Sequence, residues 1–431
     1  MSVYAFQLVS TLAWVVGCTA VFFWLLWKRP SRLPGPVTIL LLALFIRIVP
    51  ALVLQRGALY EIGVFRLAAD TFREGQNIYH LPVAHPYLPM QLYWFIAADW
   101  LTENVGLFFE FWLKSSNILA DVGITWLLIR GLGHRYSPQI SRLGGLLYAV
   151  NPVTLMVVSY QGQFDATTMF FVILAGYLYE FYRQKPYGLS LSAAALGLAI
   201  LNKTWPLLFL PIILIRLTDW RTRLQYTAVS AFMPLAGIAF YEILFPNSVY
   251  FMLRRGMSAG SISGWWGYSA VSNAIIELTG RGETVHQWFS QYGKLIGRLA
   301  GFATIYFTRK TSAAEALLAA ILAMFALVPN LGVQGLSWIV PLAILLQLYR
   351  PLGWYVGAAS VYMVIAYWLL HLVGRGYGLY TIVPHLYMDV FIQLASLTIW
   401  LVIVGWNWQW WRSHWQRSHY PLVSSRAASP P

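Results

Sequence analysis

The chain has little charge for its length and almost no cysteine. Only 10% of its 431 residues are charged, whereas 59% are hydrophobic and the mean hydropathy is +0.61. Soluble domains carry about 25% charged residues, so the composition excludes a soluble protein and predicts an integral membrane protein. The single cysteine, Cys18, excludes an intramolecular disulfide and any cysteine-based metal site.

Sequence features typical of several other classes are also missing. The first apolar run, residues 4–27, is too long for a signal-peptide core, and Lys28 and Arg29 follow it instead of a small-residue cleavage site. No internal repeat or inverted symmetry is visible, which weakens an interpretation as a secondary transporter. No nucleotide-binding motif is present either.

Apolar runs of spanning or near-spanning length make up most of the chain. They are continuous rather than alternating, so they predict helices and not barrel strands. We therefore expect an all-α polytopic membrane protein with a bundle of about 11–13 transmembrane helices. The runs cover residues of about 4–27, 37–55, 107–130, 143–158, 166–182, 187–201, 204–216, 224–244, 288–308, 313–328, 335–349, 354–372 and 388–406. The short pair 187–201 and 204–216 is predicted to form two half-spans.

Basic and acidic residues prefer opposite sides of the predicted membrane. With the N-terminus outside, 17 of the 29 Lys and Arg residues lie in inner loops or the C-terminal tail, and seven lie outside. The net charge of +14 is therefore read as a topology signal and not as a sign of nucleic-acid binding. The topology rule does not require the acidic bias toward the outer side, so that bias carries information about chemistry.

Two outer loops are long, at residues of about 56–105 and 246–287, and the other loops are short. A chain with its non-membrane residues on one face is expected to work at that face. Within the first loop, residues 90–101 are apolar but too short to span, which predicts an interfacial or re-entrant segment. Residues 407–431 are rich in Trp and basic residues and then in Ser and Pro, which predicts a cytoplasmic, partly disordered tail.

The polar segment Gln161-Gly162-Gln163-Phe164-Asp165 separates two apolar runs. A charge at such a position is a candidate for function. Asn151-Pro152 is expected to end or kink the preceding helix, and Gly162 allows a tight turn. The alternative is that Asp165 caps the next helix, although capping alone would not need two glutamines beside it.

A second carboxylate, Glu61, comes shortly after a predicted span. If it is partly desolvated at the membrane boundary, it can accept a proton from a substrate hydroxyl. The alternative is an acidic residue that stabilises the N-terminus of an amphipathic helix over residues 61–73.

Three cations are candidates for contact with a phosphate. Lys203 lies between two short apolar runs and needs a carboxylate or phosphate partner; Asp165 and Asp121 are the carboxylate alternatives. Arg254 and Arg255 lie outside, against the charge rule, and adjacent arginines suit a phosphate head group.

Aromatic residues follow these arginines, and Trp266 and Tyr268 either stack on a sugar ring or sit in the membrane interface. Within the run 107–130, Lys114 and Asp121 share a helix face, so Lys114 is a candidate partner for Asp121 or for a lipid phosphate.

Four pieces of the sequence resemble one family in their order and spacing. They are Gly75-x-x-Ile78-Tyr79 with Pro86-Tyr87-Leu88-Pro89, Asn151-Pro152 followed by Gly162-Gln163-Phe164-Asp165, Lys203 before Pro206, and Gln334-Gly335-Leu336-Ser337-Trp338 before Pro341. Together they resemble the GT-C superfamily of multi-spanning glycosyltransferases. The pattern is most similar to glycosyltransferase family 87 and other polyprenyl-phosphate-mannose-dependent mannosyltransferases, which include the first mannosyltransferase of GPI-anchor synthesis.

The resemblance implies a mechanism. A hexose arrives on a polyprenyl-phosphate donor at the outer face of a bacterial plasma membrane. The family resemblance favours mannose as this hexose. A hydroxyl of a glycolipid or glycan acceptor attacks with inversion, and Glu61 stands where family members usually carry Asp. The implied site comprises catalytic Glu61 and Asp165, phosphate-binding Lys203, Arg254 and Arg255, and substrate-binding Gln163, Tyr87, Trp266 and Tyr268.

The resemblance also implies a domain layout and leaves alternatives open. Residues 37–406 are expected to form the transferase domain, with 1–36 as an additional N-terminal helix and basic inner loop. No nucleotide or organic cofactor is expected, and a divalent metal stays an open question. The alternatives are a glycolipid transporter or flippase, with Asp165, Lys203 and Asp121 lining a path, and a glycan polymerase or ligase with a diphosphate-linked donor.

Overall fold

A computed structural model describes residues 3–53, 59–81, 87–258, 265–364 and 385–419, and within these ranges the chain is helical and contains no strand. The α-helices, numbered in chain order, are α1 Val3–Lys28, α2 Pro36–Val53, α3 Leu59–Arg73, α4 Met90–Asn104, α5 Phe109–Gly133, α6 Pro138–Ala149, α7 Pro152–Leu155, α8 Asp165–Tyr182, α9 Gly188–Asn202, α10 Phe209–Leu214, α11 Trp220–Leu244, α12 Ser248–Ser258, α13 Gly267–Thr279, α14 Glu283–Phe307, α15 Ala313–Leu327, α16 Ile339–Leu345, α17 Tyr349–Val361 and α18 His385–His419.

The helices confirm an all-α polytopic membrane protein. Among the described residues, five helical segments are long and apolar enough to cross a membrane, and several shorter apolar helices accompany them. One of the five, Pro138–Gln161, is buried throughout, so its apolar side chains pack against protein and not lipid.

That buried segment is a broken helix, as Asn151-Pro152 predicts. The helix α6 ends at Ala149, and the side-chain oxygen of Asn151 accepts hydrogen bonds from the amides of Val153 and Thr154 to start α7. A π-helical turn over Met156–Gln161 follows and ends at Gly162, whose φ of 77° lies in the left-handed region that glycine favours. The polar segment 161–165 thus lies between the end of this broken helix and the start of α8.

The predicted half-spans also meet where expected. The helix α9 ends at Asn202, and a 3-10 turn over Trp205–Leu208 leads into α10. Between them Lys203 has an extended backbone, with φ −145° and ψ 148°. Its side chain therefore leaves the chain at a junction of two short helices instead of the side of a continuous one.

A small layer of helices covers one end of the bundle, which we call the site end. It contains α3, α4 and α12; Phe65 of α3 stacks on Phe95 of α4 at 4.5 Å, and Phe164 packs into the same cluster. The apolar segment 90–101, predicted to be interfacial or re-entrant, is part of α4. The opposite end carries Lys28, Arg135 and other basic loop residues, and we call it the basic end.

The last helix differs from its prediction. The span predicted over 388–406 is part of α18, which continues to His419 and includes the Trp-rich residues that were assigned to a tail. Residues 420–431 lie outside the described ranges.

A buried network around Arg47 holds the break in α6 in place. The Arg47 guanidinium pairs with Asp121 and donates to the carbonyl oxygens of Ala149, at 2.6 Å, and Tyr148, at 3.2 Å. These carbonyls lie at the end of α6, where the Tyr148 oxygen also accepts a hydrogen bond from the Asn151 amide. Asp121, which also accepts from the Tyr148 hydroxyl, is thus the partner of Arg47 and not of Lys114 or Lys203.

Candidate active site

Lys203 and Asp165 form a buried ion pair at the site end. Nζ of Lys203 lies 2.6 Å from Oδ2 of Asp165, and the exposed fractions of the two side chains are 8% and 0%. Oδ1 of Asp165 accepts a hydrogen bond of 2.8 Å from Nε1 of Trp338. Both carboxylate oxygens are therefore satisfied, which a buried charge requires. Of the two carboxylates considered for Lys203, the structure selects Asp165.

Asp165 is not the cap of the helix that follows. The helix α8 starts at Asp165 itself, the cap position is Phe164, and no side chain caps the helix by a hydrogen bond. The capping alternative is therefore wrong. As the first residue of α8, the carboxylate lies at the positive end of the helix dipole, which attracts a negative charge.

Aromatic rings enclose Lys203. Its Nζ lies 4.6 Å from the ring centre of Phe164 and 5.3 Å from that of Tyr87, within the range of cation–π attraction. Trp205 stacks on Trp338 at 4.1 Å with an interplanar angle of 15°. The rings hold the ammonium group in place while leaving one side of it open.

That open side faces a cavity of about 260 Å³. Lys203, Tyr87 and Trp338 line one part of the wall, and Arg298 and Gln334 line another. The volume is slightly below the roughly 300–1,000 Å³ of typical ligand pockets. With two cations and several aromatic rings in its wall, the cavity suits an anionic group attached to an apolar or sugar body.

Arg298 was missed by the sequence reasoning, which left it among the basic residues inside predicted spans. It is exposed on α14, and Lys294 lies four residues earlier, on the same helix face. Neither forms an ion pair within the described part of the chain. An unpaired cation in an apolar run is a signal that could have found them.

Small residues explain how α14 comes close enough to contribute. At Gly297 a Cβ atom would lie 2.6 Å from Cγ1 of Val328, and at Gly293 one would lie 2.4 Å from the Tyr268 hydroxyl oxygen. Any larger residue would push α14 away from the end of α15. The two glycines, on the face next to Lys294 and Arg298, therefore fix the position of Arg298 at the cavity.

Glu61 lies in the first turn of α3 and is half-buried. Burial raises the pKa of its carboxyl, and a backbone hydrogen bond partly offsets this rise. Burial raises the pKa of the Tyr87 phenol, and the negative charges of Asp165 and Glu61 raise it further. Contacts join Tyr87, Lys203 and Asp165, and Ile62, the neighbour of Glu61, packs against Gly162, so the start of α3 lies beside the polar segment 161–165.

Gln163 lies in the same polar segment and is fully buried. Neither its amide oxygen nor its amide nitrogen has a hydrogen-bond partner within the described ranges. A buried amide without partners is costly, so Gln163 is suited to bind a hydroxyl group that reaches it.

The remaining predicted residues lie elsewhere. Arg254 is exposed on α12 and is not among the residues that line the cavity, and Arg255 belongs to the same helix, with its side chain outside the described structure. Trp266 is buried and donates to the carbonyl of Phe325 at 2.8 Å, and the Tyr268 hydroxyl donates to Leu327 at 2.7 Å. Both aromatic residues attach α13 to α15.

Within the described residues, no group of three or more His, Cys, Asp or Glu side chains could hold a metal ion. The site that the structure defines is thus one of carboxylates, cations and aromatic rings in a polytopic helical bundle.

Comparison with known proteins assigns this bundle to a class of membrane glycosyltransferases. The family model described as glycosyltransferase family 87 matches residues 87–330, more than half of the chain. The chain therefore belongs to glycosyltransferase family 87 of the GT-C superfamily. The matched range includes Tyr87, Gln163, Asp165, Lys203 and Arg298, and it begins after Glu61.

Among solved structures, the chain is similar to ArnT from Cupriavidus metallidurans bound to undecaprenyl phosphate. The identity is 13% and the TM-score is 0.45, and the similarity covers 86% of this chain and 77% of that chain. No curated protein matches the chain.

Proposed function

We propose that the protein transfers a hexose from a polyprenyl-phosphate donor to a hydroxyl of a glycolipid or glycan acceptor, with inversion, at the outer face of the membrane. The observation that carries this proposal is the cavity shared by Lys203 and Arg298, beside the Asp165 carboxylate. Mannose is the sugar that the family resemblance favours. The acidic residues and the two long loops, which the sequence predicts on the outer side, support a reaction at the outer face.

The donor phosphate is placed between Lys203 and Arg298. A lipid phosphate at the membrane needs cations close to the apolar region, and both residues line the same cavity, Arg298 within a predicted span and Lys203 between two short ones. Arg254, which the sequence predicts to bind the phosphate together with Lys203 and Arg255, is exposed on α12 and is not among the described residues that line that cavity. Lys294 is on the same face of α14 as Arg298 and adds positive charge along the approach of the lipid.

The proposed reaction is a single displacement. The acceptor oxygen forms a bond to the anomeric carbon, the bond from that carbon to the phosphate oxygen breaks, and the lipid phosphate leaves with the electron pair. Glu61 accepts the acceptor proton, because it is near Tyr87 and burial raises its pKa toward the range of a useful base. Gln163 binds a substrate hydroxyl with its unpaired amide.

Asp165 has a positioning role in this mechanism. Both of its oxygens are already engaged, by Lys203 and by Trp338, so it is not the first acceptor of a proton. It holds the Lys203 ammonium at the cavity wall. When a phosphate binds, Lys203 shares its donors between the two anions.

The test is transfer of labelled mannose from polyprenyl-phosphate mannose to a membrane extract by the purified protein. Glu61→Gln is expected to lower the rate by about 100-fold or more, since general-base catalysis contributes about 10²–10⁴-fold. The matched control is Glu74→Gln, an exposed carboxylate just after α3, which should transfer at the wild-type rate.

The same assay distinguishes the alternatives. Because the base works only when ionised, the wild-type rate should fall as the pH drops through the raised pKa of Glu61, and the fall should be absent in Glu61→Gln. Equal rates for wild type and Glu61→Gln would remove Glu61 as the base. Release of a lipid diphosphate would instead support the polymerase or ligase alternative.

A further inference from the structure

A second cavity lies at the basic end of the bundle, far from the candidate active site. Its volume is about 470 Å³. Along α5, Lys114 packs near Gly162 at the site end, whereas Arg130 lines this cavity. At 1.5 Å per residue, the two positions on the helix are about 24 Å apart. The cavity is formed by the start of α2, the end of α5 and the start of α6.

The cavity wall is basic. Arg130 and His134 are exposed and line it, and the Arg130 guanidinium lies 5.9 Å from the ring centre of Trp126. No Asp or Glu is among its described lining residues. The Gln139 amide donates to the carbonyl of Pro30 at 3.1 Å, which holds the basic loop that starts at Lys28 against α6. Arg130 thus supplies positive charge at the opening, and no carboxylate among the described lining residues offsets it.

An apolar surface continues from the cavity along α2 and α5 toward the site end. On α2 the exposed side chains Val37, Leu41 and Phe45 are spaced four residues apart and share one face. On α5 the exposed Leu119 and Trp126 are seven residues apart, also on one face. Val37 and Trp126 both line the cavity, so the two apolar faces start from the same opening.

We propose that this cavity binds the head group of an anionic glycerophospholipid from the adjacent leaflet, with its acyl chains along the exposed faces of α2 and α5. The Arg130 guanidinium can bind a phosphate through two parallel hydrogen bonds. Trp126 lies beside it, and tryptophan is a residue type that is enriched among lipid head groups. A zwitterionic lipid carries a cationic group as well, which the basic wall disfavours.

The same two helices carry the Arg47–Asp121 pair, one residue on α2 and the other on α5. A lipid that bridges their ends would therefore stabilise the scaffold of the broken helix. This gives the proposed lipid a structural effect that does not depend on the transferase chemistry.

Native mass spectrometry of the full-length protein in neutral detergent tests the proposal. Phosphatidylglycerol and phosphatidylcholine are titrated separately, and inorganic phosphate is added in a third arm. The wild type should retain phosphatidylglycerol at lower lipid concentration than phosphatidylcholine. Arg130→Gln should weaken phosphatidylglycerol binding roughly fivefold, the loss expected for one basic residue near a membrane surface.

The matched control is Arg221→Gln. Arg221 lies 5.8 Å from the ring centre of the exposed Trp220, so it has the same arginine–tryptophan geometry but does not line the cavity. The control should bind phosphatidylglycerol as the wild type does. Equal retention of the two lipids by the wild type, or equal weakening by both variants, would overturn the proposal. Displacement of the lipid by millimolar inorganic phosphate would assign the cavity to free phosphate instead.

Discussion

Two buried ion pairs in this protein have opposite surroundings. The Arg47 guanidinium is fully buried and donates hydrogen bonds to Asp121, to the carbonyls at the end of α6 and to the Thr154 hydroxyl. The Lys203 ammonium pairs with Asp165, but one side of it faces a cavity that Arg298 also lines.

The difference separates a scaffold from a site. In the Arg47–Asp121 pair, which we call the closed pair, both charged groups hold helices together, so a ligand has nothing to bind there. In the Lys203–Asp165 pair, which we call the open pair, the ammonium group lies at a cavity wall. Asp165 provides the partner that a buried cation needs. Charge in a membrane segment is therefore informative about function only together with the space next to it.

The closed pair is expected to dominate stability. Arg47→Met leaves Asp121 buried without its cation, and such a loss costs about 3–5 kcal/mol. The free energy of unfolding in detergent should fall by this amount, while the transfer rate per folded molecule is retained. As a control, Arg135→Met removes a partly exposed pair with Glu180 and should cost at most about 1 kcal/mol. A variant Arg47→Met that folds normally would contradict the scaffold role.

The open pair is expected to dominate activity. In the proposed mechanism, Lys203→Gln removes a charge that stabilises the leaving phosphate, and loss of one such group typically costs about 10²–10³-fold in kcat. The rate of mannose transfer should fall by this factor. Lys185→Gln, at an exposed loop lysine, provides the control and should be neutral. If Lys203→Gln loses stability and keeps its rate, the two pairs have the same structural role.

The hydrogen bond from Trp338 gives a smaller, more specific effect. Trp338→Phe keeps a ring next to Trp205 but removes the donor to Oδ1 of Asp165. An unsatisfied buried acceptor costs about 1–3 kcal/mol, and a less well-held Lys203 should also raise KM for the donor. Trp266→Phe removes a comparable indole–carbonyl bond to Phe325, so it should lower stability and leave KM unchanged. Equal KM changes in both variants would argue against a role for Trp338 at the site.

Local signals made the framework of the site predictable. Asparagine before proline predicts a helix end, glycine permits the left-handed turn at Gly162, and the short apolar runs on either side of Lys203 predict a junction. Each of these depends on a few neighbouring residues. The pairing of Lys203 with Asp165 is one of the two carboxylate alternatives that the sequence offers, and Asp121 is the other.

Contacts between distant helices were not predictable in the same way. The position of Arg298 depends on glycines that let α14 approach the end of α15, and the sequence shows the glycines but not what they face. Trp266 and Tyr268 have the composition of an interfacial belt, yet they donate to carbonyls of α15. Arg254 and Arg255 stood out through the charge rule, which reports topology and not the location of a cavity.

The most direct measurement is the affinity of the purified protein for undecaprenyl phosphate, compared between Arg298→Gln and Arg254→Gln. Both variants remove one exposed arginine, and only Arg298 lines the cavity with Lys203. If the donor phosphate binds between Lys203 and Arg298, Arg298→Gln should weaken binding about tenfold or more, as a charged hydrogen bond is worth ~1.5–3 kcal/mol. Arg254→Gln should bind as the wild type does. The reverse result, with binding lost in Arg254→Gln and kept in Arg298→Gln, would contradict the proposed site.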